Sequence, residues 1–299
     1  MQRSHISGRD RTADWLCTKR VYPPPPKEIP NTLQELRKHR PAWRCFFVRC
    51  AEARTGDIMN IRNSLILIAA FLLISLIPAT VPGQTCIPVP SGAVSWWSAE
   101  SDGNDRFGRN NTVVLGDTLF VTGMVGQAFS FDGSGDYAQA AATSALPVGA
   151  APRTVELWFR APATPGESGL FQYGTAAGGQ MFGLITSGNA PGRLYFYGHS
   201  ADLPANTVIA ANTWYHGAVT YDGSTVKIYI NGQLENQAPM ALNTVIDSNG
   251  ITIGHRAGGS FWNGQIDEPT LYDRALSDAE IAAIYNAGSA GKCVAQCSP

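Results

Sequence analysis

Between Cys86 and Cys293 the chain has no cysteine, and no Cys-x-x-Cys or paired-histidine spacing occurs anywhere in it. A zinc site therefore has no ligand pattern to stand on. There is no G-x-S-x-G turn of the kind that presents a hydrolase nucleophile. No strand-like stretch carries the alternating carboxylates that cleave a glycosidic bond, for which acid and nucleophile or base must stand ~5–10 Å apart. Asp267 and Glu268 are adjacent, so on a strand they point to opposite faces. Basic residues are also scarce beyond residue 63, where 9 Lys/Arg stand against 17 Asp/Glu. An acidic body without a basic patch argues against a nucleic-acid partner. The expectation is a protein that is not an enzyme.

Long hydrophobic runs are lacking too. Leu65–Ile77 is 13 residues long with only Ser75 polar, short of the ~20 apolar residues that span a bilayer. Preceded by Met59-Asn-Ile-Arg62 and followed by Pro78-Ala-Thr-Val-Pro-Gly83, it has the three regions of a secretory signal peptide. Residues 1–63 carry a net charge of +7 and residues 64–299 a net charge of −8. Four prolines in a row (Pro23–Pro26) and no sustained periodicity mark residues 1–58 as an over-extended start or a disordered basic head. The alternative is a signal anchor at 65–77 with the head retained inside. Either way the body, 84–293, is expected outside the cytoplasm, secreted or at the cell surface, with 294–299 as a tail.

What remains fits an oxidising compartment. Cys17, Cys45 and Cys50 lie in the head, while Cys86, Cys293 and Cys297 bracket the body. Cysteines at the two ends of a domain read as a staple, and we expect Cys86–Cys293.

Within the body, short strand signals alternate with Gly- and Pro-rich connections. The strongest lies in Trp214–Gly232, WYHGAVTYDGSTVKIYING. Two β-rich runs there are punctuated by Asp222-Gly223 and Asn231-Gly232. Val226, Ile228 and Ile230 share one face, and Lys227 and Tyr229 the other. One helix is expected, at 278–287: Ser277-Asp-Ala-Glu280 forms a capping box, and Ile281, Ile284 and Tyr285 form its apolar stripe. It is expected on the edge of the sandwich near Cys293. The pattern predicts an all-β antiparallel two-sheet sandwich of the jelly-roll type with one short C-terminal helix.

Four motifs, FDGSGDY (131–137), TVELWF (154–159), WYHGAVTYDGSTVKIYING (214–232) and GQIDEPTLYDRALSDAEI (264–281), carry a resemblance. Together, and in this order, they resemble the laminin G-like jellyroll domain of the concanavalin A-like lectin/glucanase group, over about residues 86–293. The resemblance implies two packed antiparallel sheets with the first and last strands adjacent, which supports the Cys86–Cys293 pairing. Pro269 stands where the family keeps a strand-forming apolar residue, which implies an edge or a bulge. It also implies a structural Ca²⁺ near these motifs, for which Asp132, Asp136 and Asp267 are the candidate ligands. The alternative for these residues is turn formation through side-chain-to-backbone hydrogen bonds.

Strand alternation also nominates a ligand face. In 193–199, Tyr195, Tyr197 and His199 point away from Leu194 and Phe196. In 154–159, Trp158 points away from Leu157 and Phe159, and His216 and Tyr229 join that side if Val219 is core. Aromatic rings with a few polar groups suit stacking on sugars. The alternative is ordinary packing of half-exposed strand aromatics. The function expected is an exported, non-catalytic module that binds an extracellular glycan or protein. The alternatives are a structural or adhesive module of a larger cell-surface protein and a divergent glycoside hydrolase.

Overall fold

The computed structural model describes residues 85–186, 190–256 and 258–294. These residues all belong to one unit, Ile77–Pro299. The basic head, the segment 59–83 and Cys297 lie outside the described residues.

The strands in chain order are β1 (Ile87–Pro88), β2 (Ala93–Trp96), β3 (Val113–Leu115), β4 (Leu119–Thr122), β5 (Gln127–Asp132), β6 (Tyr137–Ala140), β7 (Arg153–Arg160), β8 (Ser168–Gly174), β9 (Met181–Thr186) and β10 (Arg193–Tyr197). They continue as β11 (Leu203–Val208), β12 (Tyr215–Tyr221), β13 (Thr225–Ile230), β14 (Gln233–Pro239), β15 (Ile251–Ile253), β16 (His255–Arg256), β17 (Ser260–Phe261), β18 (Asn263–Tyr272) and β19 (Lys292–Cys293). The helix α1 is Asp278–Ala287. An eight-stranded sheet runs β14-β13-β12-β7-β18-β5-β4, with β2 also on β18. A seven-stranded sheet runs β11-β10-β9-β8-β15-β6-β3. Pairing within both sheets is antiparallel; β1 and β19 form a separate parallel pair.

The two inner faces make the core. Val155, Leu157, Phe159, Val219, Val226, Ile228 and Ile230 come from the larger sheet, and Phe171, Phe182, Leu184, Leu194, Phe196 and Ile253 from the smaller. The period-2 alternation that marked Val226, Ile228 and Ile230 as core therefore held. Asn231 and Gly232 both take positive φ (50° and 75°), the geometry of a type I′ hairpin turn. At the other turn, the Asp222 Oδ1 accepts the amides of Ser224 and Thr225, each at 2.8 Å. Those two bonds hold its carboxyl below the ordinary carboxylate range.

β18 explains Pro269. Its N-terminal half pairs with β5 and its C-terminal half with β2. Between them the register against β7 shifts from Asp267 to Thr270, and Glu268 takes φ 59°. The proline, which has no N–H for a ladder, sits in this bulge, and its carbonyl accepts the Trp97 amide at 2.9 Å.

The capping box at Ser277 and Glu280 is present as read. The helix lies against the edge strand β14 and against β1, the partner of the Cys293 strand, as expected, but it reaches further than the edge. It covers the outer face of the larger sheet, where Ile281 and Ile284 pack with Ala218, Tyr229, Tyr272 and Leu276. A Cβ on Gly232 would stand 3.1 Å from the Tyr285 side chain and 3.2 Å from the Ala282 Cα, so the hairpin turn needs glycine to let the helix down. Cys86 and Cys293 form the disulfide, with Cα atoms 5.6 Å apart, and join β1 to β19. The chain between them spans 207 positions. Among the described residues no helix is long and apolar enough to cross a membrane.

Candidate functional site

The six residues nominated for one ligand face fall on two different sheets. Trp158 (β7), His216 (β12) and Tyr229 (β13) do share the outer face of the larger sheet, but that face is closed. α1 lies over it, so Trp158 is buried, and His216 and Tyr229 have no exposed surface. Tyr285 of the helix stands 5.7 Å from the Trp158 ring and 6.4 Å from the His216 ring. The Tyr229 hydroxyl donates to Asp278 Oδ1 at 2.7 Å. These three residues are corrected from ligand contacts to packing, because the helix buries the face that strand alternation left open.

Beneath that cover lies a buried charge network that the sequence reading missed. Glu156 Oε1 is 2.9 Å from Lys292 Nζ, and Glu156 Oε2 is 3.1 Å from His216 Nε2. Lys292 Nζ also lies 3.1 Å from Glu268 Oε2 and 5.4 Å from the centre of the Trp96 ring. Burial alone would raise the Glu156 pKa, but the Lys292 ammonium and the His216 contact overcome it and bring it down to about 2. Burial likewise opposes the charge on Lys292, yet the two carboxylates push its pKa up. With both ends stabilised as ions, the network pins β19 to the sheet. The legible signal was Lys292 itself, the neighbour of a cysteine tied to the start of the domain.

Tyr195, Tyr197 and His199 do come together, on the outer face of the smaller sheet. They line a groove of about 280 Å³ with Glu167, Ile185, Ser200, Asp202 and Arg256. Strand alternation is the cause: Leu194 and Phe196 go to the core, and the tyrosines beside them go outward. Tyr195 and Tyr197 are 5 % and 7 % exposed, so they form the floor and offer edges and hydroxyls more than open faces. The Tyr197 hydroxyl lies 2.8 Å from His199 Nδ1 and accepts from Arg256 at 3.2 Å. The Arg256 guanidinium stands 4.8 Å from the Tyr197 ring centre and pairs with Glu167. His199 and Ser200 both have positive φ (55° and 76°), and the Asp202 carboxylate holds this strained lip through the Gly198 amide at 3.0 Å. Arg256, Glu167 and Asp202 were not nominated, since each reaches the groove from a different strand or loop.

Of the three nominated metal ligands, Asp132 and Asp136 converge with Asp117, which was missed. Carboxylate oxygens of the three lie within 4.8 Å of one another. Asp136 Oδ1 accepts the Asp117 amide at 2.8 Å, and its Oδ2 accepts the Asp132 amide at 3.2 Å. Burial, and then the two neighbouring carboxylates, raise the Asp136 pKa against those amide bonds. Three hard oxygen donors with net negative charge fit a Ca²⁺ ion. The turn-forming role is also real, for Asp132 Oδ1 caps the Ser134 amide at 2.7 Å. Asp267 is corrected. It lies four residues beyond Asn263, the β18 partner of Asp132, and its side chain is fully buried. Its Oδ2 accepts the Val125 amide at 2.8 Å, and burial pushes its carboxyl up to about 8.

Asn110-Asn111-Thr112 has the form of a glycosylation sequon, but its acceptor asparagine is closed off. The Asn110 side chain is buried, donates to Ser95 Oγ at 2.6 Å and accepts from Thr143.

A laminin G family profile, described as the concanavalin A-like lectin/glucanases superfamily, matches residues 132–282, half of the chain. No match was found among curated proteins. Among solved structures, domain 4 of AbnA, a GH43 extracellular arabinanase from Geobacillus stearothermophilus seen with arabinotriose, superposes with a TM-score of 0.55 at 19% identity. That match covers 64% of this chain and 96% of that one. The binding domain of Paraclostridial Mosquitocidal Protein 1 follows at 0.54 and 18%, covering 65% of this chain and 52% of that one. Trypanosoma rangeli sialidase, in complex with 2,3-difluoro-KDN, gives 0.52 and 19%, covering 67% of this chain and only 36% of that one. At these identities the likeness is one of fold. The chain belongs to the concanavalin A-like lectin/glucanases superfamily, as a laminin G-like jelly roll.

Proposed function

We propose that this domain is an exported, non-catalytic recognition module that holds a glycan in the groove of Tyr195, Tyr197 and His199. One observation carries the reading: a phenol floor, an imidazole and three charged groups converge on the open face of one sheet, with a strained lip at His199-Ser200. Phenol edges give apolar contact to a sugar ring. The Tyr195 and Tyr197 hydroxyls and His199 supply the directional hydrogen bonds that orient its hydroxyls. A non-catalytic role is supported by the engagement of both carboxylates, Glu167 with Arg256 and Asp202 with the Gly198 amide. The arabinotriose complex of the arabinanase domain and the binding domain of the mosquitocidal protein support a glycan or receptor ligand for this architecture. Export is supported by the signal-like segment 59–83 and by the disulfide. We further propose a structural Ca²⁺ held by Asp117, Asp132 and Asp136, where it would neutralise three carboxylates brought together from the β3–β4 and β5–β6 turns.

The test is a glycan array and pull-down with the protein and its Tyr195→Phe and His199→Ala variants. Retention of a glycan by the wild type, with at least a tenfold loss in either variant at unchanged melting temperature, is expected. Retention indifferent to both changes sinks the groove as the site. Release of shortened glycan from the array would overturn the non-catalytic part.

A further inference from the structure

A second cluster of rings stands on the same outer face of the smaller sheet, across the hairpin β16–β17 from the groove. His255 and Phe261 are cross-strand partners with ring centres 4.6 Å apart and planes 29° apart. Tyr137 of β6 stands 5.1 Å from His255 and 6.0 Å from Phe261. All three are only partly buried. Neighbouring β6 residues Ala138 and Ala140 belong to the core, so Tyr137 points outward, as Tyr195 and Tyr197 do on β10. β10 and β6 are four strand steps apart in the sheet order, roughly 19 Å at ordinary strand spacing. The hairpin joins the two clusters physically. Its Arg256 packs on Tyr197, and the preceding residue, His255, packs on Tyr137 from the other side of the ribbon.

Resting on the groove reading, we propose that Tyr137, His255 and Phe261 form a second stacking subsite, so that the module grips a run of neutral sugar units rather than a single terminal residue. A lone sugar ring cannot touch both clusters, whereas an oligosaccharide can. Charge selects against acidic sugars at the groove, where Glu167 and Asp202 outnumber the one guanidinium. Burial also lowers the His255 pKa, which keeps that ring neutral for stacking. Three partly exposed rings, with centres 4.6–6.0 Å apart and planes tilted by 29–47°, offer ring edges and partial faces to a sugar.

Calorimetry with arabino- and cello-oligosaccharides from monosaccharide to hexasaccharide, on the full chain, tests this. Affinity should climb with chain length and then level off once both clusters are occupied. Phe261→Leu, and separately Tyr137→Leu, should weaken the longest binding oligosaccharide by roughly tenfold and leave the shortest binding one unchanged. The paired variants keep the test valid if one of them fails to fold. Equal loss for short and long chains, or none for either, overturns the second subsite while leaving the groove intact. Loss of all binding in Tyr195→Phe with Phe261→Leu unaffected has the same meaning. Absence of binding to every neutral oligosaccharide, or preference for a basic peptide, overturns the groove reading and this inference together.

Discussion

Lys292 Nζ lies 2.9 Å from Glu156 Oε1, and neither side chain is more than 2% exposed. The lysine belongs to β19, beside the disulfide, and the glutamate to the centre of the larger sheet. This pair joins the last strand of the domain to its middle.

Removing one partner of a buried ion pair strands the other charge, at a cost of about 3–5 kcal/mol. Lys292→Met should lower stability by that amount in denaturant unfolding. Lys292→Met with Glu156→Gln should recover part of it, because the stranded charge is gone. Two fully additive losses would show that the pair is not coupled.

The disulfide and the lysine act on the same strand. Cys293→Ser should cost about 2–5 kcal/mol. Combined with Lys292→Met, the cost should be smaller than the two losses added, since a released β19 no longer delivers the ammonium. Thermal melts of the four species form the cycle. Strict additivity would mean that β19 stays docked without its bond.

Stability should fall as pH rises from about 4 to 8. Burial raises the Asp267 carboxyl from an ordinary 3.8 to about 8. In that window the native state keeps a proton that the unfolded chain has released, so unfolding is favoured by rising pH. Glu268, raised by burial, adds to the same slope. Glu156 acts with the opposite sign and only at the acid end: its pKa is lowered to about 2, so its contribution is lost as pH drops below about 4.5. Asp267→Asn should flatten the window in urea titrations at stepped pH. An unchanged slope would remove Asp267 from the account.

Calcium should raise the melting temperature. An ion that binds only the native state contributes about 2.7 kcal/mol at a hundredfold excess over Kd. Asp117→Asn and Asp132→Asn, both exposed positions, should abolish the gain. Identical melts in chelator and in Ca²⁺ would reduce the three aspartates to turn formers.

Much of the fold was legible because its signals are local. Period-2 alternation marked Val226, Ile228 and Ile230 as core, Asn231-Gly232 announced its turn, and Ser277 and Glu280 announced the helix start. The four strands at the sheet edges, β3, β4, β11 and β14, carry little local signal, because they are short or half-exposed and their sequences show no sustained apolar alternation. The site was only partly legible. Alternation says which way Trp158, His216 and Tyr229 point from their sheet, and it pointed them correctly. It cannot say that a helix starting 49 positions after Tyr229 and 120 after Trp158 lands on them.

Taken alone, the sequence determined what each strand shows to its two sides: the core stripe, the turns, the helix cap and the cysteines available for a staple. Tertiary structure decided which outer face stayed open. The larger sheet lost its face to α1 and to Lys292, and the smaller sheet kept Tyr195, Tyr197 and His199 at a groove. The reason is physical. Backbone sterics and hydrogen bonding are settled between near neighbours in the chain, whereas burial depends on which distant apolar stripe finds a matching surface once the sheets have formed.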